Sequence, residues 1–134
     1  MNRREAREQA FSVIFEYSFH AGEDAGELYR AGCVARGEEE CDYARDALRG
    51  VIAHLPEIDA CIARHATGWR PERISAVSRA ILRLAIYEML YVEDVPAVVA
   101  VNEAVELAKK YDADKAPAFV NGLLNAAMKE ATLA

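Results

Sequence analysis

The chain has 134 residues, 53% of them hydrophobic and 28% charged. That length fits one domain with a sizeable core, and the apolar content excludes a disordered chain. Sixteen bases against twenty-two acids give a net charge of −6, which excludes a uniformly basic nucleic-acid binder but leaves room for a local basic patch. No apolar run reaches the ~18–20 residues of a membrane span. The start, MNRREAREQAF, lacks an apolar stretch, so no secretory signal is expected. Cys33, Cys41 and Cys61 are odd in number and contain no Cys-x-x-Cys pair. A reducing cytoplasm is the expected compartment.

No sustained period-two alternation marks a strand, so the chain reads as all-α. The first helix is expected from about Arg3 to His20, with Ala10, Val13, Ile14 and Tyr17 at helical spacing and Phe11 and Phe15 widening the apolar face. Gly22 follows as a stop signal. A weak acidic helix covers about Ala25 to Ala35 and Gly37 breaks it. A third helix covers about Glu40 to Ala53, and a fourth runs from Pro56, at its first turn, to about His65. Gly68-Trp69-Arg70-Pro71 interrupts the pattern. It places the boundary between an N-terminal subdomain of about 1–67 and a C-terminal one of about 68–134, within a single domain.

The next helix is expected from about Ala76 to Tyr91, with Val77, Ile81, Leu84 and Glu88 on one face. Asp94-Val95-Pro96 makes the turn. Val98, Val101, Val105 and Ala108 then form one stripe, and Ala100, Ala104, Leu107 and Tyr111 another. Two apolar stripes predict that this helix is central. Asp112-Ala113-Asp114 breaks it, and Pro117 opens a last helix whose buried face is Phe119, Val120, Leu123, Leu124, Ala127 and Met128. Gly122 inside it costs ~1 kcal/mol relative to alanine, so close approach of a neighbouring helix or a ligand is expected there.

Charge is uneven. Residues 21–46 hold eight acids and three bases, and residues 64–83 hold five arginines and one glutamate. Arg3, Arg4 and Arg7 crowd the first turns of the first helix, where positive charge opposes the helix dipole. Binding of a phosphate backbone would explain them. An ordinary solvated face paired with Glu5 and Glu8 explains them as well. Phe11, Phe15 and Tyr17 on the same helix could stack on unpaired bases, against core packing as the plainer reading, above all for Phe11 and Tyr17.

Signs of catalysis are thin. No glycine-flanked serine or phosphate-cradling loop occurs. Glu103 and Glu106 are three apart, which surface pairing with Lys109 or Lys110 explains. Cys61 and His65 could share a helix face, but two ligands make no zinc site. No enzyme activity, cofactor or metal is expected.

Three blocks carry a resemblance. They are Arg3-Arg4-Glu5-Ala6-Arg7-Glu8, then Arg79-Ala80-Ile81-Leu82-Arg83-Leu84-Ala85-Ile86-Tyr87-Glu88 with Asp94-Val95-Pro96, then Val101-Asn102-Glu103-Ala104-Val105-Glu106-Leu107-Ala108-Lys109-Lys110-Tyr111 running on to Phe119-Val120-Asn121-Gly122-Leu123-Leu124. Their order and spacing resemble the bacterial transcription antitermination factor NusB family. The stretch from about Ala21 to Ala66 matches it only in the number and length of helices. The resemblance implies about seven helices packed as two small bundles, and a non-catalytic protein. It implies binding to boxA-type single-stranded RNA together with NusE, a ribosomal protein, on RNA polymerase with other Nus factors. Homodimers also occur in the family.

By position, the resemblance gives Arg3, Arg4, Arg7, Lys115, Phe119 and Asn121 to RNA, and Phe15 and Ser78 to NusE. Phe15 stands where the family often has tyrosine, and Ser78 where it often has an acid. Asn102 and Glu103 are expected to be mainly structural. A buried amide is the plainer reading of Asn121. Two alternatives remain open. One is the NusB-like module of a ribosomal-RNA methyltransferase, which would need a long catalytic domain after Ala134. The other is a protein-only helical adaptor.

Overall fold

The computed structural model describes residues 1–66, 68 and 70–133, without the side chains of Pro71 and Leu133. Among these residues there are seven α-helices and no strand. They are α1 (Arg3–Tyr17), α2 (Ala25–Arg36), α3 (Asp42–Ala53), α4 (Leu55–His65), α5 (Ala76–Tyr91), α6 (Ala97–Tyr111) and α7 (Ala116–Leu133), with a 3-10 turn at Pro71–Arg73. The all-α expectation and the order of the helices hold. α1 ends three residues before His20, in a turn that passes through Gly22 at φ +94°. Of the Gly68–Pro71 interruption, Trp69 lies outside the described residues, as does Thr67 before it.

Local chemistry fixes the helix ends. Asn2 accepts the Glu5 amide at 2.8 Å, and Glu5 accepts the Asn2 amide at 3.2 Å. This reciprocal cap satisfies two amides that the helix itself leaves open. It also sets a carboxylate at the end where the arginines oppose the dipole. Gly37 closes α2 in the left-handed region, at φ +66°, while the Glu38 amide reaches back to the Cys33 carbonyl at 2.9 Å. Pro56 sits in the first turn of α4.

One continuous core runs through both halves of the chain. Its centre is α5, not α6 as the two-stripe pattern suggests. Ala80, Ile81, Leu82, Leu84, Ala85 and Ile86 are all buried. A helix apolar on nearly every side must be covered on every side. α1, α3, α4, α6 and α7 all pack against α5. In α6 a single stripe of Ala100, Val101, Ala104, Leu107 and Ala108 is buried, while Val98 and Val99 face solvent.

Two glycines change places with the sequence expectation. A Cβ on Gly122 would meet nothing within 4 Å, so no neighbouring helix approaches it. Gly50 in α3 is the point of close approach, where a Cβ would run into the ring of Tyr87 on α5.

Candidate nucleic-acid interface

The three N-terminal arginines have three different fates. Arg4 is exposed, and its guanidinium donates to both Glu103 oxygens, at 3.2 and 3.1 Å. Arg7 is buried. Its Nε donates to Glu88 Oε2 at 2.8 Å, and its Nη1 reaches Glu103 at 3.5 Å. Tyr43 donates its hydroxyl to the same Glu88 carboxylate. Burial, followed by that bond, pushes the Tyr43 hydroxyl pKa far up. Arg3 lies over the Tyr43 ring, 4.1 Å from its centre, and 3.6 Å from Asp94.

Arg7 is thus held by Glu88 and Glu103 and only edges the groove between α1 and α6, although the sequence pattern gives it the same role as its neighbours. The signal for its burial lay in α5. Glu88 shares a face with Ile81 and Leu84, and a carboxylate among buried apolar side chains needs a cation. Glu103 is structural, as expected, though its bases come from α1 and not from Lys109 or Lys110. Asn102 is exposed and does not help to fix α6.

Arg4 opens onto a groove of about 380 Å³ between α1 and α6, with Glu8, Lys109 and Lys110 along its walls. An adjoining groove of about 650 Å³ shares Arg4, Glu103 and Lys109, and adds Asn102 and Asn121. The structure thus brings Arg4 and Asn121 to one surface. Asn121 is exposed, which removes the buried-amide reading, and its carbonyl and side-chain oxygens accept from Asn125 at 2.8 and 3.1 Å. Arg3 lines neither groove.

Lys115 and Phe119 line a separate cavity of about 140 Å³, and Ser78 lines it with them. Lys115 is exposed and Phe119 half-buried. Ser78 is buried, and its hydroxyl donates to Asp112 at 2.6 Å. Ser75 donates to the same Asp112 oxygen at 2.7 Å. Asp112 at the end of α6 thus accepts from two serines at the start of α5. Composition of the Asp112–Asp114 break gave no hint of this role.

Phe15 belongs to an aromatic run on α1. Its ring centre lies 6.2 Å from that of Phe11 and 5.2 Å from that of exposed Phe19, while Phe11 lies 5.0 Å from Tyr111. Phe11, Phe15, Val77 and Tyr111 line a further, mostly apolar groove, with Arg36 at its edge. Val77 on its wall is the neighbour of Ser78 in α5. Phe15 and Ser78 thus line different cavities, Phe15 this groove and Ser78 the one of Lys115 and Phe119.

Elsewhere two of the arginines of residues 64–83 are drawn into ion pairs. Arg83 pairs with Asp59 at 2.9 Å and Arg64 with Glu130 at 2.5 Å. His65 donates from Nδ1 to the Cys61 carbonyl at 2.9 Å, and its Nε2 lies 2.9 Å from Glu130. Burial pushes the Cys61 thiol pKa up, which disfavours a reactive thiolate. Among the described residues, no helix is long and apolar enough to cross a membrane.

Known proteins resemble this chain in sequence and fold. A transcription antitermination protein NusB from Rubrobacter xylanophilus is 49% identical over 127 residues, covering 95% of this chain and 90% of the relative. The NusB of Bacillus subtilis is 41% identical over 128 residues, covering 93% of both. Among solved structures, NusB of T. maritima superposes with a TM-score of 0.85 at 34% identity, covering 97% of this chain and 92% of that one. A chain in the crystal structure of antitermination factors NusB and NusE in complex with dsRNA superposes with a TM-score of 0.83 at 31% identity, covering 96% of each. The NusB family profile matches residues 4–129, from the exposed arginine of α1 to the last turns of α7, and the chain belongs to the NusB family.

Proposed function

We propose that this chain is a transcription antitermination factor. It binds boxA-type RNA of ribosomal operons together with the ribosomal protein NusE, as a non-catalytic scaffold on RNA polymerase in the cytoplasm. The observation that carries this reading is its likeness, along nearly the whole chain, to a structure of NusB and NusE with RNA.

The surfaces support a division of labour. Arg4 and Asn121 share a groove where a phosphate and a base could be held side by side. Arg3 lies beside that helix end, and Lys115 with Phe119 offers a second charged and aromatic pair. Arg7 serves RNA indirectly, by holding Glu103 and the start of α1 in place. NusE takes the apolar groove of Phe15, with Ser78 beneath the separate cavity of Lys115 and Phe119. An acidic body repels RNA elsewhere and confines it to these residues. The two halves of the chain act as one domain through their shared core.

Fluorescence anisotropy of labelled boxA-type RNA, with and without NusE, tests the reading against a scrambled RNA. Tighter binding of boxA in the presence of NusE is expected. Equal binding of both RNAs in either condition would leave a protein-only adaptor.

A further inference from the structure

The groove between α1 and α6 is an unusual phosphate site, because its exposed bases are already occupied. Glu103 holds Arg4 with two hydrogen bonds. Glu106 lies 3.4 Å from Lys109, and Glu8 lies 2.6 Å from Lys110. The Glu8 carboxyl is held below its usual range by the hydrogen bond from Lys110, with burial opposing and the Tyr111 hydroxyl helping. Two of these pairs tie α1 to α6, so stability alone accounts for them. The Glu106–Lys109 pair lies within α6, at an exposed position, and ties nothing together. Its carboxylate faces a groove that adjoins Asn121.

A carboxylate offers a guanidinium or ammonium much of what a phosphate offers. Exchange of one for the other gains little, and the displaced carboxylate then repels the incoming phosphate. Building on the functional reading above, we propose that Glu8, Glu103 and Glu106 act as internal counter-ions that compete with RNA phosphates for Arg4, Lys109 and Lys110. RNA that offers phosphates alone is held weakly at this groove. RNA that also gains base contacts, or that arrives with NusE, overcomes the competition. The repulsive element thus raises specificity at the expense of affinity.

The test is a double-mutant cycle on Glu106→Gln and Lys109→Gln, read as anisotropy of boxA-type and scrambled RNA across a salt series. Both side chains are exposed, so matching thermal melts check that the fold is kept. Glu106→Gln is expected to tighten scrambled RNA by about two- to fivefold at low salt, the span of an exposed ion pair, and boxA-type RNA by less, so that the ratio between them falls. The salt slope should steepen by up to ~0.7, as one more phosphate is neutralised. In the Lys109→Gln background the same substitution should change neither RNA. Unchanged affinity of Glu106→Gln for scrambled RNA would overturn the proposal. So would equal tightening in the Lys109→Gln background, which would show only a change of overall charge. A wild-type protein that binds neither RNA, with or without NusE, would overturn the functional reading as well.

Discussion

Arg7 and Glu88 form a buried ion pair between α1 and α5, 2.8 Å apart, with side chains 6% and 1% exposed. Removal of one partner leaves the other charge in the core without compensation. Arg7→Ala should therefore destabilise the protein by about 3–5 kcal/mol, read as a lower urea midpoint. Arg7→Met combined with Glu88→Leu should recover most of that loss, because two apolar side chains leave no buried charge. If Arg7→Ala unfolds at the wild-type midpoint, the pair does not hold α1 in place.

Arg4 stands one helical turn away and should behave in the opposite manner. It is 71% exposed, and its pair with Glu103 is a surface pair on the arginine side. Such pairs add little to stability. Arg4→Ala should leave the melting temperature nearly unchanged and weaken boxA RNA several-fold, with the salt slope reduced by about 0.7. An unchanged slope would mean that Arg4 contacts no phosphate.

The contrast between these arginines shows how far the sequence could be read. Helical periodicity located the helices, since burial of one face is a local pattern that spacing records. It did not tell which helix lies at the centre. α5 and α6 both carry many apolar residues, and only the packing shows that Val98 and Val99 stay in solvent. Arg3, Arg4 and Arg7 look alike in a linear motif, while their fates depend on Tyr43, Glu88 and Glu103, which lie 40 to 99 residues away in the chain. Glu88 on an apolar face was the local clue to one of these long-range pairs. Asp112 gave no clue, because an acid after a helix is ordinary until Ser75 and Ser78 are found beside it.

The glycines of α3 and α7 make a paired prediction. Gly50→Ala places a methyl group against the Tyr87 ring, and overpacking of this kind costs ~1–3 kcal/mol. The gain in helix propensity, ~1 kcal/mol, offsets only part of it. Gly122→Ala meets open space and receives the propensity gain in full, so its melting temperature should rise. Because Gly122 is exposed beside Asn121, the same methyl group should weaken boxA RNA by blocking approach to the helix backbone. A stabilised Gly122→Ala variant with unaltered RNA affinity would place the RNA path elsewhere.

Asp112 links stability to pH. Burial pushes its carboxyl pKa up, but hydrogen bonds from Ser78 and Ser75, with the Ala113 amide at 2.7 Å, outweigh burial and leave it below its usual value. The unfolded chain then binds a proton at Asp112 more readily than the folded one, so stability rises with pH across the interval between the two pKa values. The contribution is complete above the unfolded value of ~3.9 and is lost as pH falls through the lower folded value. Asp112→Asn should lower the urea midpoint at pH 7 and have a much smaller effect near pH 2. Ser78→Ala should act in the same direction, because it removes one of the bonds that depress the carboxyl. Equal losses at both pH values would assign the effect to packing at the end of α6 and not to the charge.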